Sequence, residues 1–185
     1  MSEHEPSVGA TDEWYTPKFI FDGIGLMFDL DPCSPGAGIG FVPARRIYTK
    51  VDDGLAQSWR GLVFMNPPFG GRNGQVPWLQ KFVDHGNGIA LVAARTSAGW
   101  FHQFAPQMDG MLFPNGKTKF VRPDGSVGGS PGTGVVLFGL GEVACSALEN
   151  SGLGIFVRID GRAGRQHHLN GVTARQGQTA DARGG

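Results

Sequence analysis

The stretch LVFMNPPF, residues 62–69, decides the fold. Its first four residues are all apolar, which is typical of a strand that is buried on both faces of a sheet. Asn66, Pro67 and Pro68 then end the strand, because proline cannot donate a hydrogen bond to a neighbouring strand. The prolines also stiffen the backbone and remove amide donors, so that the carbonyl oxygens of the turn are left as acceptors. We therefore predict a buried strand that leads into a rigid, acceptor-rich turn.

Other apolar runs predict further strands and several helices. Residues 26–30 form a short run that ends at Asp31-Pro32, and residues 88–94 form another. Weaker strand candidates lie at residues 47–50, 111–113, 119–121, 134–140 and 155–159. Apolar residues at helical spacing are found in residues 18–24, 77–83 and 96–104, with a short helical stretch at residues 55–59. For the first helix we expect Thr16 as the N-cap and Pro17 as the first helical residue.

Strands that alternate with helices predict an α/β fold with a Rossmann-like, mixed but mostly parallel sheet flanked by helices. Ligands of such sheets bind beyond the carboxyl ends of the strands. Asp31 and Asn66 each follow a predicted buried strand, so we expect both side chains at the same edge of the sheet. That edge is the predicted site.

The length of 185 residues and an apolar fraction of 40% fit one folded domain. We expect this domain at residues 12–160, after a flexible leader at residues 1–11. Residues 161–185 are polar and rich in glycine, arginine and glutamine, which predicts a disordered tail.

Composition also excludes several classes of protein. The formal net charge is zero, which argues against a large cationic surface for nucleic acid. Cys33 and Cys145 lack the spacing of a zinc site or a disulfide framework, so we predict no metal and a reduced, cytoplasmic setting. No apolar run has the roughly 18 residues of a membrane helix, and residues 1–6 do not resemble a signal peptide.

The chemistry expected of the turn is hydrogen bonding to an amine. The amide oxygen of Asn66 and the carbonyl of Pro67 can accept N–H bonds from an exocyclic amine such as that of adenine, while Phe69 stacks on the base. A base in a duplex would have to be flipped out, or presented as a single strand. The alternative is that the tetrapeptide is only a rigid turn, with Phe69 in the core.

The motif resembles the catalytic motif of the amino-group DNA methyltransferases, and more closely that of the phage-type, Dam-like adenine methyltransferases. Further segments are similar to that family in the same order: EWYTP at residues 13–17, LDPC at 30–33, DDGLAQSW at 52–59, RTSAGWF at 95–101 and GKTKF at 116–120. The resemblance runs from about residue 12 to residue 140 and implies a class I S-adenosylmethionine-dependent fold. It also implies transfer of a methyl group to N6 of adenine in DNA, in a protein of phage or prophage origin.

The resemblance assigns a set of cofactor-binding residues: Thr16, Pro17, Asp31, Pro32, Cys33, Gly36, Gly38 and Asp53. The chain departs from the family pattern in the spacing of its glycines. It also departs at residues 41–50, which are basic and aromatic and offer no acid for the ribose, so that Asp31 or Asp53 is expected to take this role. The alternatives are a surface loop for the glycines, an ordinary Asp-Gly turn for Asp53 and a mere helix cap for Thr16-Pro17.

Contacts with DNA phosphates are expected from Arg72, beside the catalytic turn, and from Lys117 and Lys119. A cluster formed by Arg45, Arg46 and Lys50 is a further candidate, and the alternative for each cluster is solvated surface.

Two other functions stay open. The base could be cytosine, methylated at N4, or the fold could bind nucleic acid without catalysis. A nucleotide hydrolase is disfavoured, since no Gly-Lys-Ser/Thr follows the glycines.

Overall fold

The structure is a computed structural model, and it describes residues 15–68, 74–122, 125–128 and 134–159. The predicted leader and tail, as well as Phe69 and Arg72, lie outside the described residues. Seven strands are formed within these ranges: β1 (Phe28–Asp31), β2 (Ala44–Ile47), β3 (Val63–Met65), β4 (Gly88–Ala93), β5 (Gly110–Pro114), β6 (Val135–Leu140) and β7 (Gly154–Arg158). The helices are α1 (Lys18–Ile24), α2 (Val76–His85), α3 (Gly99–Phe104), which continues into a short 3-10 helix, and α4 (Glu142–Asn150).

All seven strands lie in one sheet, in the order β2-β1-β3-β4-β6-β5-β7. The first four strands of this order are parallel to one another, whereas β6 is antiparallel to β4 and β5, and β7 is antiparallel to β5. The expected mixed α/β sheet flanked by helices is confirmed. Three of the six pairings are parallel and three antiparallel, and all strands except β6 and β7 run in the same direction, as expected of a mixed, mostly parallel sheet. Parallel neighbours need a long crossover, and no helix among the described residues joins β5 to β6.

Helices cover both faces of the sheet. On one face α2 and α3 bury Leu79, Phe82 and Trp100. On the other face α1 and α4 pack against a second cluster that includes Phe28 and Leu137. β4 and β6, at the centre, are buried along their full lengths, which explains why both are continuous apolar runs in the sequence.

The strand order reverses at β1. The chain passes from β1 to β2 on one side, and then to β3 on the other side of β1. At such a reversal the two connections leave in opposite directions, which opens a crevice beyond the carboxyl ends of the two strands. Asp31 is the last residue of β1, and Asn66 directly follows β3. The prediction that both lie at one edge of the sheet is confirmed.

Helix starts were predicted less accurately. α1 begins at Lys18, and its N-cap is Pro17, with φ −69° and ψ 151° and no side-chain cap bond. The predicted capping role of Thr16 is therefore wrong. α3 begins only at Gly99, and residues 55–59 form a turn rather than a helix.

Two strand predictions also needed correction. β2 is formed by Ala44–Ile47 instead of residues 47–50, because this edge strand exposes Arg45 and Arg46 at its centre and shows no apolar run. Residues 119–121 form no regular strand, since Val121 makes only isolated bridges. α4 was not predicted at all.

A candidate active site at the ends of β1 and β3

A cavity of about 830 Å³ opens at the carboxyl ends of β1 and β3. This volume is within the range of about 300 to 1,000 Å³ that is usual for small-molecule sites. Eight of the residues predicted from the sequence line it: Thr16, Asp31, Pro32, Cys33, Asp53, Asn66, Pro67 and Pro68. Thr16 comes from the segment before α1, and Asp31 is the last residue of β1. The other residues lie in the connections that follow β1, β2 and β3.

Asp31 is a buried carboxyl at the floor of the cavity, with 3% of its surface exposed. Its Oδ1 accepts a hydrogen bond from the backbone N–H of Cys33 at 3.0 Å. Burial raises the pKa of Asp31 to about 7, while hydrogen bonds from Cys33 and Ser34 oppose this rise. The carboxyl group can therefore be protonated or ionised near neutral pH, and a neighbouring positive charge favours the ionised form.

Asn66 is anchored on two sides. Its Nδ2 donates to the hydroxyl of Thr16 at 3.2 Å, and its backbone N–H donates to the sulfur of Cys33. Burial raises the pKa of the Cys33 thiol, and the neighbouring Asp31 raises it further, so the thiol is neutral. These contacts join the three segments of the predicted site around the side chain of Asn66. Thr16, which was expected to cap a helix, instead orients the Asn66 amide.

Two adjacent acids in the turn after β2, Asp52 and Asp53, differ in their contacts. Asp52 accepts hydrogen bonds from both the backbone N–H and the hydroxyl of Thr49, each at 2.7 Å, and these bonds lower its pKa. Asp53 lines the cavity and has φ 53°, the left-handed region that a non-glycine residue rarely adopts. A Cβ on Gly54 would lie 2.1 Å from the carbonyl oxygen of Pro32, so only glycine allows this turn to approach Asp31 so closely.

Residues 4–136 of the chain match the family described as DNA N-6-adenine-methyltransferase (Dam). The match covers more than two thirds of the 185 residues. The chain belongs to the Dam family. No curated protein and no solved structure gives a significant match.

In this Dam-family protein the second wall of the cavity was missed by sequence reasoning. It is largely apolar and is formed by Phe41, Val42, Val51 and Trp78, with Lys50 beside them. The loop that follows β1 carries the first two, and α2 carries Trp78. Aromatic and β-branched residues indicate only that these positions are packed in the protein. Nothing in the sequence shows that the loop turns back over the strand ends, so a place in the cavity could not be predicted.

Some predicted residues lie away from the cavity. Pro17, Gly36 and Gly38 are not among its lining residues. The two glycines have φ 132° and 76°, so the predicted glycine-rich loop does use backbone conformations that suit glycine.

The predicted DNA-binding lysines lie in a segment that pairs with Tyr15, a residue of the cavity wall. Lys117 and Lys119 are exposed and do not line the cavity. However, Val121 pairs with Tyr15 through two backbone hydrogen bonds of 2.9 and 3.0 Å, and Tyr15 lines the cavity. The basic segment therefore begins only a few residues from the wall of the site.

The described part of this Dam-family chain contains neither a helix that could span a membrane nor a cluster that could bind a metal ion. None of its helices is long and apolar enough to cross a membrane. In the same ranges no group of three or more His, Cys, Asp or Glu side chains could bind a metal ion.

Proposed function

We propose that this protein transfers a methyl group from S-adenosylmethionine to the exocyclic N6 of adenine in DNA. The observation that carries the proposal is the shared cavity of Asp31 and Asn66, at the ends of two adjacent parallel strands in a Dam-family chain. The reversal of strand order at this point is what a Rossmann-like class I methyltransferase fold requires of its cofactor site. A phage or prophage origin is part of the same proposal and rests on the sequence resemblance alone.

The side chains of the cavity fit this cofactor. S-adenosylmethionine carries a sulfonium and an ammonium group, ribose hydroxyls and a flat purine. Asp31 is a buried acid that a neighbouring cation would ionise, and Asp53 is an acid suited to bind ribose hydroxyls. Phe41 and Trp78 offer apolar surface for the purine. When bound, the cofactor supplies an electrophilic methyl group.

The chain's own contribution to the transfer is to bind and orient the amine. We assign Asn66 Oδ1 and the carbonyl oxygen of Pro67 as acceptors of the two N–H bonds of adenine N6. Both groups stabilise the positive charge that develops as the nitrogen attacks. Asn66 and Pro67 would hold N6 in place while its bond to the methyl group formed and the S–C bond of the cofactor broke, and one amine proton would be released to solvent. The bond from Asn66 to Thr16 supports this assignment, because it uses the amide nitrogen as a donor.

DNA would approach the cavity from the side of the Tyr15–Val121 pairing. Lys117 and Lys119 are exposed on this side and are suited to bind phosphates. Phe69 and Arg72, which we expect to contact the base and the backbone, complete the proposal. The target adenine has to leave the duplex, or to be single-stranded, because N6 within a stacked pair cannot reach the end of β3.

The test is methyl transfer by the purified full-length chain to DNA, followed by mass spectrometry of the nucleosides. We expect N6-methyladenine, formed about a hundredfold more slowly or worse by the Asn66→Ala variant. N4-methylcytosine as the only product would reject the choice of base.

Calorimetry with S-adenosylmethionine and with its demethylated product distinguishes the remaining alternative. Binding of neither compound, together with absence of transfer, would indicate a methyltransferase-like fold without catalysis.

A further inference from the structure

One wall of the cavity is a turn that has no regular secondary structure of its own. We call residues 52–57 the acidic turn; Asp53 and Gly54 of this turn line the cavity. Asp53 has a left-handed backbone with φ 53°, a conformation that is unfavourable for a non-glycine residue. Such a conformation persists only when the surroundings stabilise it, so the contacts behind the turn decide whether Asp53 stays in place.

Lys81 of α2 provides the strongest of these contacts. Its ammonium group donates to the carbonyl oxygens of Leu55 and Gln57, each at 2.5 Å. The same group lies 5.2 Å from the centre of the Trp59 ring. Hydrogen bonds from a charged donor are about twice as strong as neutral ones, and the cation also gains from the aromatic face. Lys81 thus binds the acidic turn at two points and contacts Trp59, two residues beyond the turn, at a third.

Trp59 extends this contact to the residue next to Asp53. Its indole N–H donates to the carbonyl oxygen of Gly54 at 2.8 Å, and its ring is buried. The ring stacks on Trp78 at 6.3 Å and meets His85 edge-on at 5.9 Å. Trp78, Lys81 and His85 are spaced three and four residues apart, so they project from one face of α2. This face of α2 is therefore a single support for the acidic turn.

The opposite side of the acidic turn is in direct contact with the β1 end of the site. Gly54 approaches the carbonyl oxygen of Pro32, the residue after Asp31. The turn is thus enclosed between Pro32 and α2, and a shift at Lys81 would move Asp53 and Gly54 with respect to Asp31.

We propose that Lys81 is a positioning residue of the cofactor pocket: by binding the carbonyl oxygens of Leu55 and Gln57 it keeps Asp53 in the geometry that binds the ribose. This inference rests on the proposed function, and it assigns the distant lysine a role in cofactor affinity rather than in methyl transfer. It does not require Lys81 to touch cofactor or DNA.

The test compares Lys81→Met with Lys81→Arg, which keeps the charged donors, and with Gln80→Met on the exposed side of the same helix. In calorimetry with the demethylated cofactor, we expect Lys81→Met to weaken binding about tenfold or more, from the loss of two charged hydrogen bonds. Lys81→Arg should recover much of the affinity, and Gln80→Met should not differ from the wild type. The rate of methyl transfer at saturating cofactor should stay within about twofold for all three variants, because the Asn66 contacts are unchanged.

Two further measurements separate positioning from general stabilisation. Hydrogen exchange of the cofactor-free protein should show faster exchange of the amides of residues 54–57 in Lys81→Met than in Gln80→Met. In a double-mutant cycle, the combination of Lys81→Met with Asp53→Asn should weaken binding little more than Asp53→Asn alone, because Lys81 acts through Asp53. If Lys81→Met does not fold, Trp59→Phe, which removes the N–H bond to Gly54 and reduces the ring that packs against Trp78 and Lys81, should weaken binding about threefold or more.

Wild-type affinity in Lys81→Met, or full additivity with Asp53→Asn, would overturn the proposal. A wild-type protein that binds no cofactor would instead contradict the proposed function. The exchange measurement needs no ligand and would still decide whether Lys81 holds the acidic turn.

Discussion

The two halves of the sheet contribute differently to the molecule. In the parallel half, β2, β1, β3 and β4, strand ends and their connections provide the lining of the cavity, whose described residues all lie between positions 15 and 78. In the antiparallel half, β6, β5 and β7, no described residue lines it. Yet β6 is buried along its full length and contacts both of its neighbours.

The difference follows from strand direction. Parallel neighbours bring their carboxyl ends to the same edge, so that Asp31 and Asn66 meet. Antiparallel neighbours send alternate ends to opposite edges, which disperses side chains that follow the strands. We infer that the antiparallel half serves stability, while the parallel half holds the proposed site. Substitutions in each half test this division.

Leu137→Ala addresses the antiparallel half. Leu137 is fully buried in β6, and removal of such a side chain leaves a cavity that costs about 2 to 5 kcal/mol of stability. Denaturant unfolding should show this loss, while the affinity for cofactor, measured where the variant is folded, should equal that of the wild type. A weaker affinity of the folded variant would contradict the inference that the antiparallel half serves stability only.

The parallel half was also the part that sequence predicts best. Residues 62–65 and the run before Asp31-Pro32, which is apolar apart from Asp29, are short and stopped by proline, so both strand ends could be located from local pattern alone. Trp78 and Phe41 could not be assigned to the site in this way. Their positions in the cavity depend on how α2 packs and on the path of a loop, which are tertiary properties.

Elements with weak local patterns were missed. α4 buries Ala144, Cys145 and Leu148, of which two are small, and so its apolar face is hard to distinguish from a loop. β2 exposes two arginines at its centre, since an edge strand buries little of its surface. Both cases show that local pattern predicts an element only when the element buries a continuous apolar face.

Asn66→Ala addresses the parallel half directly. We expect turnover to fall about a hundredfold or more, because a preorganised acceptor for the reacting amine is lost. The matched control is Asn150→Ala, which removes an exposed asparagine of α4, bonded only within its own helix, and should leave turnover unchanged. Turnover is measured as methyl groups transferred at saturating cofactor and DNA. A near-normal rate for Asn66→Ala would reject the assigned role of this residue.

Asp31→Asn tests the pH dependence that the buried carboxyl group imposes. The pKa of Asp31 is about 7 in the folded protein and has its ordinary value of 3.8 in the unfolded chain. Between these two values the folded state binds more protons, so the stability of the wild type falls as pH rises towards 7, by at most about 1.4 kcal/mol per pH unit. Asparagine keeps the acceptor for the Cys33 N–H but cannot ionise, and this contribution to the slope should therefore be absent from the variant.

Unfolding free energies of wild type and Asp31→Asn from pH 4.5 to 8 provide the measurement. Affinity for a cationic cofactor should show the opposite trend, since a positive charge beside Asp31 favours the ionised form. We expect wild-type affinity to rise up to pH 7, and the variant to bind about tenfold more weakly at pH 8, with no such rise. Parallel pH profiles for both proteins would show that Asp31 does not titrate in this range.

Thr16→Val tests the contribution of a single hydrogen bond to the site in the parallel half. Thr16 was expected to cap α1, but its hydroxyl instead accepts a bond from the Asn66 amide, and its side chain is buried. Valine keeps the shape and removes the acceptor, so that the bond from the amide to Thr16 is lost. The loss of one such bond corresponds to about a fivefold lower turnover, and Thr16→Ser should restore most of it.

The kinetic constants distinguish the two roles of Thr16. If it orients Asn66, kcat falls while KM for cofactor changes little, because only the geometry of the amine acceptor is altered. If it served α1 as a cap, Thr16→Val would lower the free energy of unfolding and leave kcat unchanged. A reduced kcat with an unchanged free energy of unfolding would show that the segment before α1 contributes to the site in the parallel half.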